Sequence, residues 1–459
     1  MLRTFALLMI GLLPLSAGLK NLSMREALGM LDKKNLEIRV SRYDEVMKKY
    51  DELAVEGKNW GSASITIQAL RSNDAGNVFG FKLQSREADF GDFGFSDFLP
   101  CMGPTPPAYC RDILNRKPHD LNYPGARNHF LTKFHYEVPV YTGGKLSEYK
   151  KITQKLYEMS KLDTRKLHDE KIFQVKKAFY NITLVERYVT NLRKIRRNML
   201  KLKKTILEMK KEGYTKKTDV LEIEARLAKV DSMLNQAKLN RTLAYQFLSF
   251  LLDTDVDSIR KVDLLIHAPK VTQADIERMS LDIQKAKMGL EVARHAIATE
   301  KANFLPMVGA FAEYGSADDH LWNDFAKKDF YTVGMQFKLN IFNGGSDKAK
   351  LEKARVRHMK VATQVELAKK GIALKVRKLE TAIDSLEFDL RSERKQLALA
   401  REIYRTYEAK YKEGLASITD VLIKQSIELQ VLLEYLQVAN KHSEKVFELE
   451  KILDMGGRS

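Results

Sequence analysis

Few side chains in this sequence are spaced for covalent chemistry. Cys101 and Cys110 lie close together in CMGPTPPAYC, a stretch rich in proline and glycine. In an oxidising compartment that spacing favours a disulfide, two separate thiols being the alternative, and it fits no common zinc motif. The nine histidines are scattered. His129 and His135 share one alternating segment, but Lys133 and Leu131 stand among them, which argues against a metal site. There is no P-loop, dinucleotide fingerprint, HExxH or nucleophile elbow. Neither an enzyme activity nor a cofactor is therefore expected.

The first 17 residues, MLRTFALLMIGLLPLSA, place Arg3 before an apolar run from Phe5 to Leu13 and end on small residues, the pattern of a cleavable secretory signal. No other stretch approaches the apolar length of a membrane-spanning helix. The remainder is 30% charged, with 10 Pro and 24 Gly in 459 residues, which suits long helices. The net charge of +18 is spread among acidic residues along stretches such as KLEKARVRHMK. Solvated helix faces, not nucleic-acid binding, are the expectation for such an exported chain.

Positioning comes from a duplication. PVYTGGKLSEYKKI at 139–152 and NIFNGGSDKAKLEKAR at 340–355 both change from alternating to helical character at a glycine pair, Gly143–Gly144 and Gly344–Gly345. Aligning Gly143 on Gly344 fixes an offset of 201, which also lays EGYTKKTDVLEIE on EGLASITDVLIKQ. Upstream the offset is 245, with Asn35 on Ser280, so the first copy holds about 44 extra residues. They fall within 73–128, the segment holding both cysteines, and read as one long disulfide-tied loop. The predicted organisation is a signal at 1–17, a first repeat at 18–265 and a second at 266–459.

Each copy reads as helix, strand, loop, strand, glycine pair, long helix, tight turn, helix. Alternation predicts strands with Ala63, Ile65, Ile67 and Ala69 on one face, then Phe130, Thr132, Phe134, Tyr136, Val138 and Val140. The second copy offers Val308, Ala310 and Ala312, then Tyr331, Val333, Met335, Phe337, Leu339 and Ile341. Four strands cannot close a barrel. Their apolar face is covered either by helices, in a soluble core, or by lipid, with several chains sharing one barrel. From Gly144 to Gly213 no proline or glycine interrupts a helical pattern with Val189, Leu192, Ile195, Met199, Leu202, Ile206 and Met209 along one seam. Gly213 and Gly414 supply helix stops, and Thr218 or Thr419 with the following aspartate can start the return helices. A coiled-coil spacer would explain the hairpins but not the strands.

These features, with NFLPMVGAFAEYG, VPVYTGGKLS, LNIFNGGSDKAKLEKAR, YKEGLASITDVL and KKEGYTKKTDVL, resemble TolC-type outer-membrane efflux proteins over nearly the whole mature chain. The resemblance implies a mainly helical fold with a transmembrane β part. Four strands per protomer would join a homotrimeric twelve-stranded β-barrel in outer-membrane lipid, continued by a helical coiled-coil barrel across the periplasm. It further implies a passive exit duct for efflux or type I secretion, meeting a periplasmic adaptor and an inner-membrane pump or ABC transporter. The setting would be the outer membrane of a Gram-negative bacterium.

By the same resemblance, adaptor contact falls on the hairpin tips at Gly213, Tyr214 and Thr215 and at Gly414, Leu415, Ala416 and Ser417. Asp420 matches a pore-narrowing aspartate ring, Asp219 an acidic tie between helices and Tyr411 a tyrosine tie. Ile423 stands where a second ring aspartate belongs and Ala416 where a basic partner for Asp219 belongs. The structural alternative is that both aspartates simply start helices.

Overall fold

A computed structural model describes residues 18–263 and 266–455; the signal expected at 1–17 lies outside them. The chain begins with helices α1 (Met24–Lys34) and α2 (Leu36–Gly57), then strand β1 (Ser62–Ser72). The segment before the next strand holds α3 (Ala75–Gln84), α4 (Phe95–Phe98) and α5 (His119–Asn122), so the predicted loop is a folded insertion. Strand β2 (Arg127–Tyr141) leads through the first glycine pair into α6 (Lys145–Lys211) and α7 (Lys217–Leu252). The second copy follows with α8 (Gln273–Met279), α9 (Leu281–Lys301), β3 (Met307–Asp318), β4 (Asp329–Lys338), α10 (Ser346–Lys412) and α11 (Ile418–Ile452). Both long helices, α6 and α10, have 67 residues, so the duplication extends to length.

Two compact units cut across the duplication: residues 18–47, 157–290 and 360–455 form one, and residues 48–156 and 291–359 the other. In the first, about 55 residues of α6 would measure roughly 80 Å at 1.5 Å per residue. Its seam is buried at Val189, Leu192, Met199 and Ile206, with Ile195 and Leu202 packed beside them. That cluster takes in Val220 and Ile223 of α7 and Val421 and Leu422 of α11, so the ends of both hairpins share one core. A second cluster packs Leu31 of α1 and Ile38 of α2 against Phe179 of α6 and Leu248 and Leu251 of α7.

The second unit is built on an antiparallel sheet in the order β1-β2-β3-β4, which among the described residues leaves β1 and β4 as edges. Register aligns the alternating residues across all four strands. Ile65 lies opposite Phe134, Phe134 opposite Tyr314 and Tyr314 opposite Tyr331, with Ala63, Tyr136, Ala312 and Val333 forming the next row. Side chains on that face are apolar because a strand's period of two puts each alternate residue there. Ser64, His135, Glu313 and Thr332 line up on the other face.

Two strand expectations need correction. Val140 does not continue the apolar face of β2, because pairing shifts between Pro139 and Tyr141, and Tyr141 takes the place opposite Val308. β4 stops at Lys338, short of Leu339 and Ile341. Its neighbour β3 begins opposite that lysine at Met307, immediately after Pro306, so the last residues have no strand to pair with.

The glycines of the strand-to-helix bends, Gly143, Gly144, Gly344 and Gly345, all have positive φ, as does Gly61 at the entrance to β1. A Cβ on Gly61 would lie 1.9 Å from the Glu137 carbonyl oxygen, whereas one on Gly345 meets nothing within 4 Å. Gly345→Ala therefore carries only the left-handed backbone penalty, about 1–2 kcal/mol. Gly61→Ala must also push β1 from β2. The expected outcome is a markedly larger drop in urea midpoint for Gly61→Ala than for Gly345→Ala; equal drops would contradict the close approach.

Candidate functional site: the sheet faces and the hairpin tips

The sheet offers two chemically different surfaces. On the apolar face, Ile65, Val333, Met335 and Phe337 are 65–73% exposed and Tyr331 is 79% exposed. Eight large side chains there, adding Ile67, Phe134 and Tyr314, would gain at most roughly 12–24 kcal/mol on burial at about 1.5–3 each. The opposite face carries charge. Glu313 Oε1 accepts from Lys133 Nζ at 3.0 Å and lies 3.0 Å from His135 Nδ1. His135 Nε2 is 3.7 Å from Glu137. This group joins β2 of the first copy to β3 of the second. Sequence reasoning noted Lys133 and His135 but missed Glu313, whose place follows only once the apolar rows of the two strands are set opposite one another.

Glu87, Asp318 and Asp319 bring carboxylate oxygens within 4.8 Å of one another. Lys328 bonds to Glu87 and to Asp318, and Arg127 also bonds to Glu87, so the protein's own cations already neutralise this acidic group. Its donor set therefore does not call for a metal.

At the tips, helix ends are satisfied by one repeated device. Gly213 N–H donates to the Lys210 carbonyl at 3.1 Å and Tyr214 N–H to Met209 at 2.8 Å; Gly414 and Leu415 do the same to Tyr411 and Lys410. Both are left-handed helix stops closed by two hydrogen bonds, which need the glycines' positive φ. Tyr214 and Leu415 then stand 78% and 76% exposed, while Thr215 Oγ1 turns back to the Ile206 carbonyl at 3.3 Å.

The return helices start earlier than expected, at Lys217 and Ile418, and neither Thr218 nor Thr419 is the cap. Ser417 caps α11: its N–H and hydroxyl donate to the Asp420 carboxylate at 3.1 and 2.6 Å, and its Oγ accepts from Asp420 N–H at 3.1 Å. In the first copy Asp219 accepts from Lys216 N–H at 3.0 Å, but a lysine side chain has no acceptor to return the bond. Both aspartates thus have a helix-start role within the chain. Thr419 instead donates to Glu222 of α7 at 3.0 Å, and Arg226 donates to Ser426 of α11 at 3.3 Å. These ties between copies had no sequence signal, because the partners are not related by the repeat offset.

Tyr411 packs in the tip core and its hydroxyl lies 3.5 Å from Met209 Sδ. Burial, and then the nearby Asp219 charge, raise its pKa. Asp420 is held below the ordinary carboxyl range by its Ser417 hydrogen bonds. Farther along α6, Asp169 is buried and pushed up to about 8, first by desolvation and then by Asp454, whose carboxylate Arg165 Nε reaches at 3.0 Å.

Removing the Ser417 hydroxyl with Ser417→Ala is expected to cost about 1 kcal/mol and to speed amide exchange in the first turn of α11 while leaving α7 unaffected. Asp420's contribution is present above its ordinary pKa near 3.8 and is lost as pH falls through its lower folded value. Asp169 has the opposite sign. The folded chain holds its proton where the unfolded chain has lost it, so stability falls as pH rises from about 4 to about 8. Asp169→Asn is expected to flatten that slope in urea unfolding; an unchanged slope would contradict the assignment.

Residues 275–454 match the family model "Outer membrane efflux protein". The toluene efflux pump outer membrane protein TtgC of Pseudomonas putida is 27% identical over 161 residues, 34% of this chain and 32% of that protein. The match thus spans about a third of the curated relative's length. The CmeC outer membrane channel of Campylobacter jejuni superposes with a TM-score of 0.73 at 13% identity, covering 95% of this chain and 86% of that one. The open-state MtrE channel of Neisseria gonorrhoeae gives 0.73 at 15% identity, covering 94% and 89%. CmeC and MtrE are outer membrane channels, and TtgC is the outer membrane protein of an efflux pump. The family match is confined to residues 275–454, while nearly the whole chain has the fold of the CmeC and MtrE outer-membrane channels.

Proposed function

We propose that this chain is the passive exit duct of a tripartite efflux or type I secretion machine. The observation that carries the reading is the sheet: one face exposes a continuous apolar surface, the other is polar, and both edge strands are open. In hydrocarbon an unpaired strand edge costs several kcal/mol for each bare N–H or C=O, so the edges must close against other copies. Four strands per chain require at least two copies for the eight strands of a small barrel. A homotrimer of twelve strands satisfies this, with lipid against Tyr331, Val333, Met335 and Phe337 and water against Lys133, His135 and Glu313. A coiled-coil spacer would leave the exposed apolar face without a purpose.

In the assembled duct the helical hairpins line the periplasmic conduit, and the tips meet a periplasmic adaptor that couples to an inner-membrane pump or ABC transporter. Gly213, Tyr214, Thr215, Gly414, Leu415, Ala416 and Ser417 offer that contact, Tyr214 and Leu415 being its exposed side chains. Repeated around a threefold axis, Asp420 would set a ring of carboxylates at the aperture, with Asp219 and Tyr411 tying neighbouring helices. A carboxylate held below its ordinary range by its Ser417 hydrogen bonds stays ionised at neutral pH, so the ring would favour cations.

Protein purified from outer membrane is expected to give discrete single-channel openings in a planar bilayer. Cation preference should fall in Asp420→Asn, which removes the charge but retains hydrogen-bonding atoms for the cap. An assembled trimer that stays electrically silent even with its tips loosened by Tyr411→Phe and Asp219→Asn would overturn the duct.

A further inference from the structure

The 73–126 insertion leaves the sheet at the end of β1 and returns at the start of β2, the same end as the 319–328 turn joining β3 to β4. Its first helix, α3, lies over the polar face there. Phe81 of α3 stacks on the His129 ring, with centroids 4.1 Å apart and planes 6° from parallel, and His129 is 2% exposed. His129 shares the face of Leu131, Lys133 and His135, and Ala317, opposite Leu131, is also buried. The apolar face at Ile65 and Tyr331 is left open.

The insertion is fixed to the rim of the sheet. Arg127 of β2 donates to Ser85 Oγ at 3.0 Å and bonds Glu87, which also bonds Lys328 of the opposite turn. Arg86 donates to the carbonyls of Lys327 and Asp329 at 3.1 and 2.6 Å. The distal part is clasped onto α3, where Lys82 bonds Asp92 and Phe79 meets Phe93 edge-on at 5.4 Å, and is tied to itself where Asp97 of α4 accepts from His119 N–H of α5 at 2.9 Å. A Cys101–Cys110 disulfide, with Cα atoms 5.5 Å apart, closes a loop within it.

We infer that this insertion is an inward-folded filter, three copies of which narrow the outer mouth and set the largest solute that can leave. The inference rests on the duct reading, in which the polar face is the lumen. Anything laid across that face takes cross-section from the pore, and anchors to β2 and to the β3–β4 turn hold it there more firmly than its covalent connections alone could. The second copy has only a short β3–β4 turn at this end, so the restriction belongs to the first copy alone.

The test labels cysteines in whole cells carrying the full-length protein. Gln336→Cys sits on the polar face below the insertion and Val333→Cys on the apolar face. The probe is a polymer-linked maleimide too wide for porins, added outside beside a small charged maleimide. With the insertion intact, the polymer should modify Gln336→Cys about tenfold more slowly than when residues 88–122 are replaced by a short Gly-Ser linker. Glu87→Gln, which loosens the anchor without deletion, should raise the rate severalfold and serves if the linker variant fails to reach the membrane. Equal polymer rates with and without the insertion, or no modification in either, would overturn the filter. Rapid labelling of Val333→Cys by the small reagent would instead sink the barrel beneath it.

Discussion

Everything in the sheet unit answers to one constraint: backbone N–H and C=O groups must be paired wherever water is absent. β2 and β3 meet it within the chain, whereas β1 and β4 each have one bare edge. In water such edges invite uncontrolled pairing, and the apolar face between them adds to the hazard. In a bilayer the same two features become complementary, since lipid covers the face and neighbouring copies cover the edges. On the proposed reading, the folded chain is an incomplete object whose open edges call for further copies of itself.

The helical unit solves its problems internally. Its four buried clusters and its paired helix stops close hairpins that need no lipid, and the ties from Glu222 to Thr419 and from Arg226 to Ser426 link one copy to the other. Duplication supplied the common plan, two hairpins with the same stop, and divergence altered the caps. Ser417 and Asp420 bond reciprocally, while Lys216 leaves Asp219 with a single backbone bond and a carboxylate freer for other contacts. The insertion is the largest divergence, and it extends only one repeat.

Much of this was legible in the sequence because periodicity is a local signal. Alternation located all four strands, the uninterrupted seam from Val189 to Ile206 located α6, and the glycine pairs located the bends. What escaped notice was non-local. The bulge at Val140 and the early end of β4 depend on the neighbouring strand. Glu313 joins Lys133 and His135 only through cross-repeat register. The cap at Ser417 was hidden because Thr419 offered an equally good local pattern two residues away. The insertion read as a loop because its short helices are held by Lys82–Asp92, Phe79–Phe93 and a disulfide, with no periodic pattern to announce them.

The central claim is that edges β1 and β4 close against other copies in a ring of fixed size. Its most direct measurement is intermolecular disulfide formation in outer membranes between Thr66→Cys on β1 and a cysteine scanned along β4 from Tyr331 to Phe337. The account predicts cross-links at a narrow band of β4 positions, giving a ladder that ends at three chains. Absence of any intermolecular product along the whole scan, or a ladder that continues past three, would contradict it.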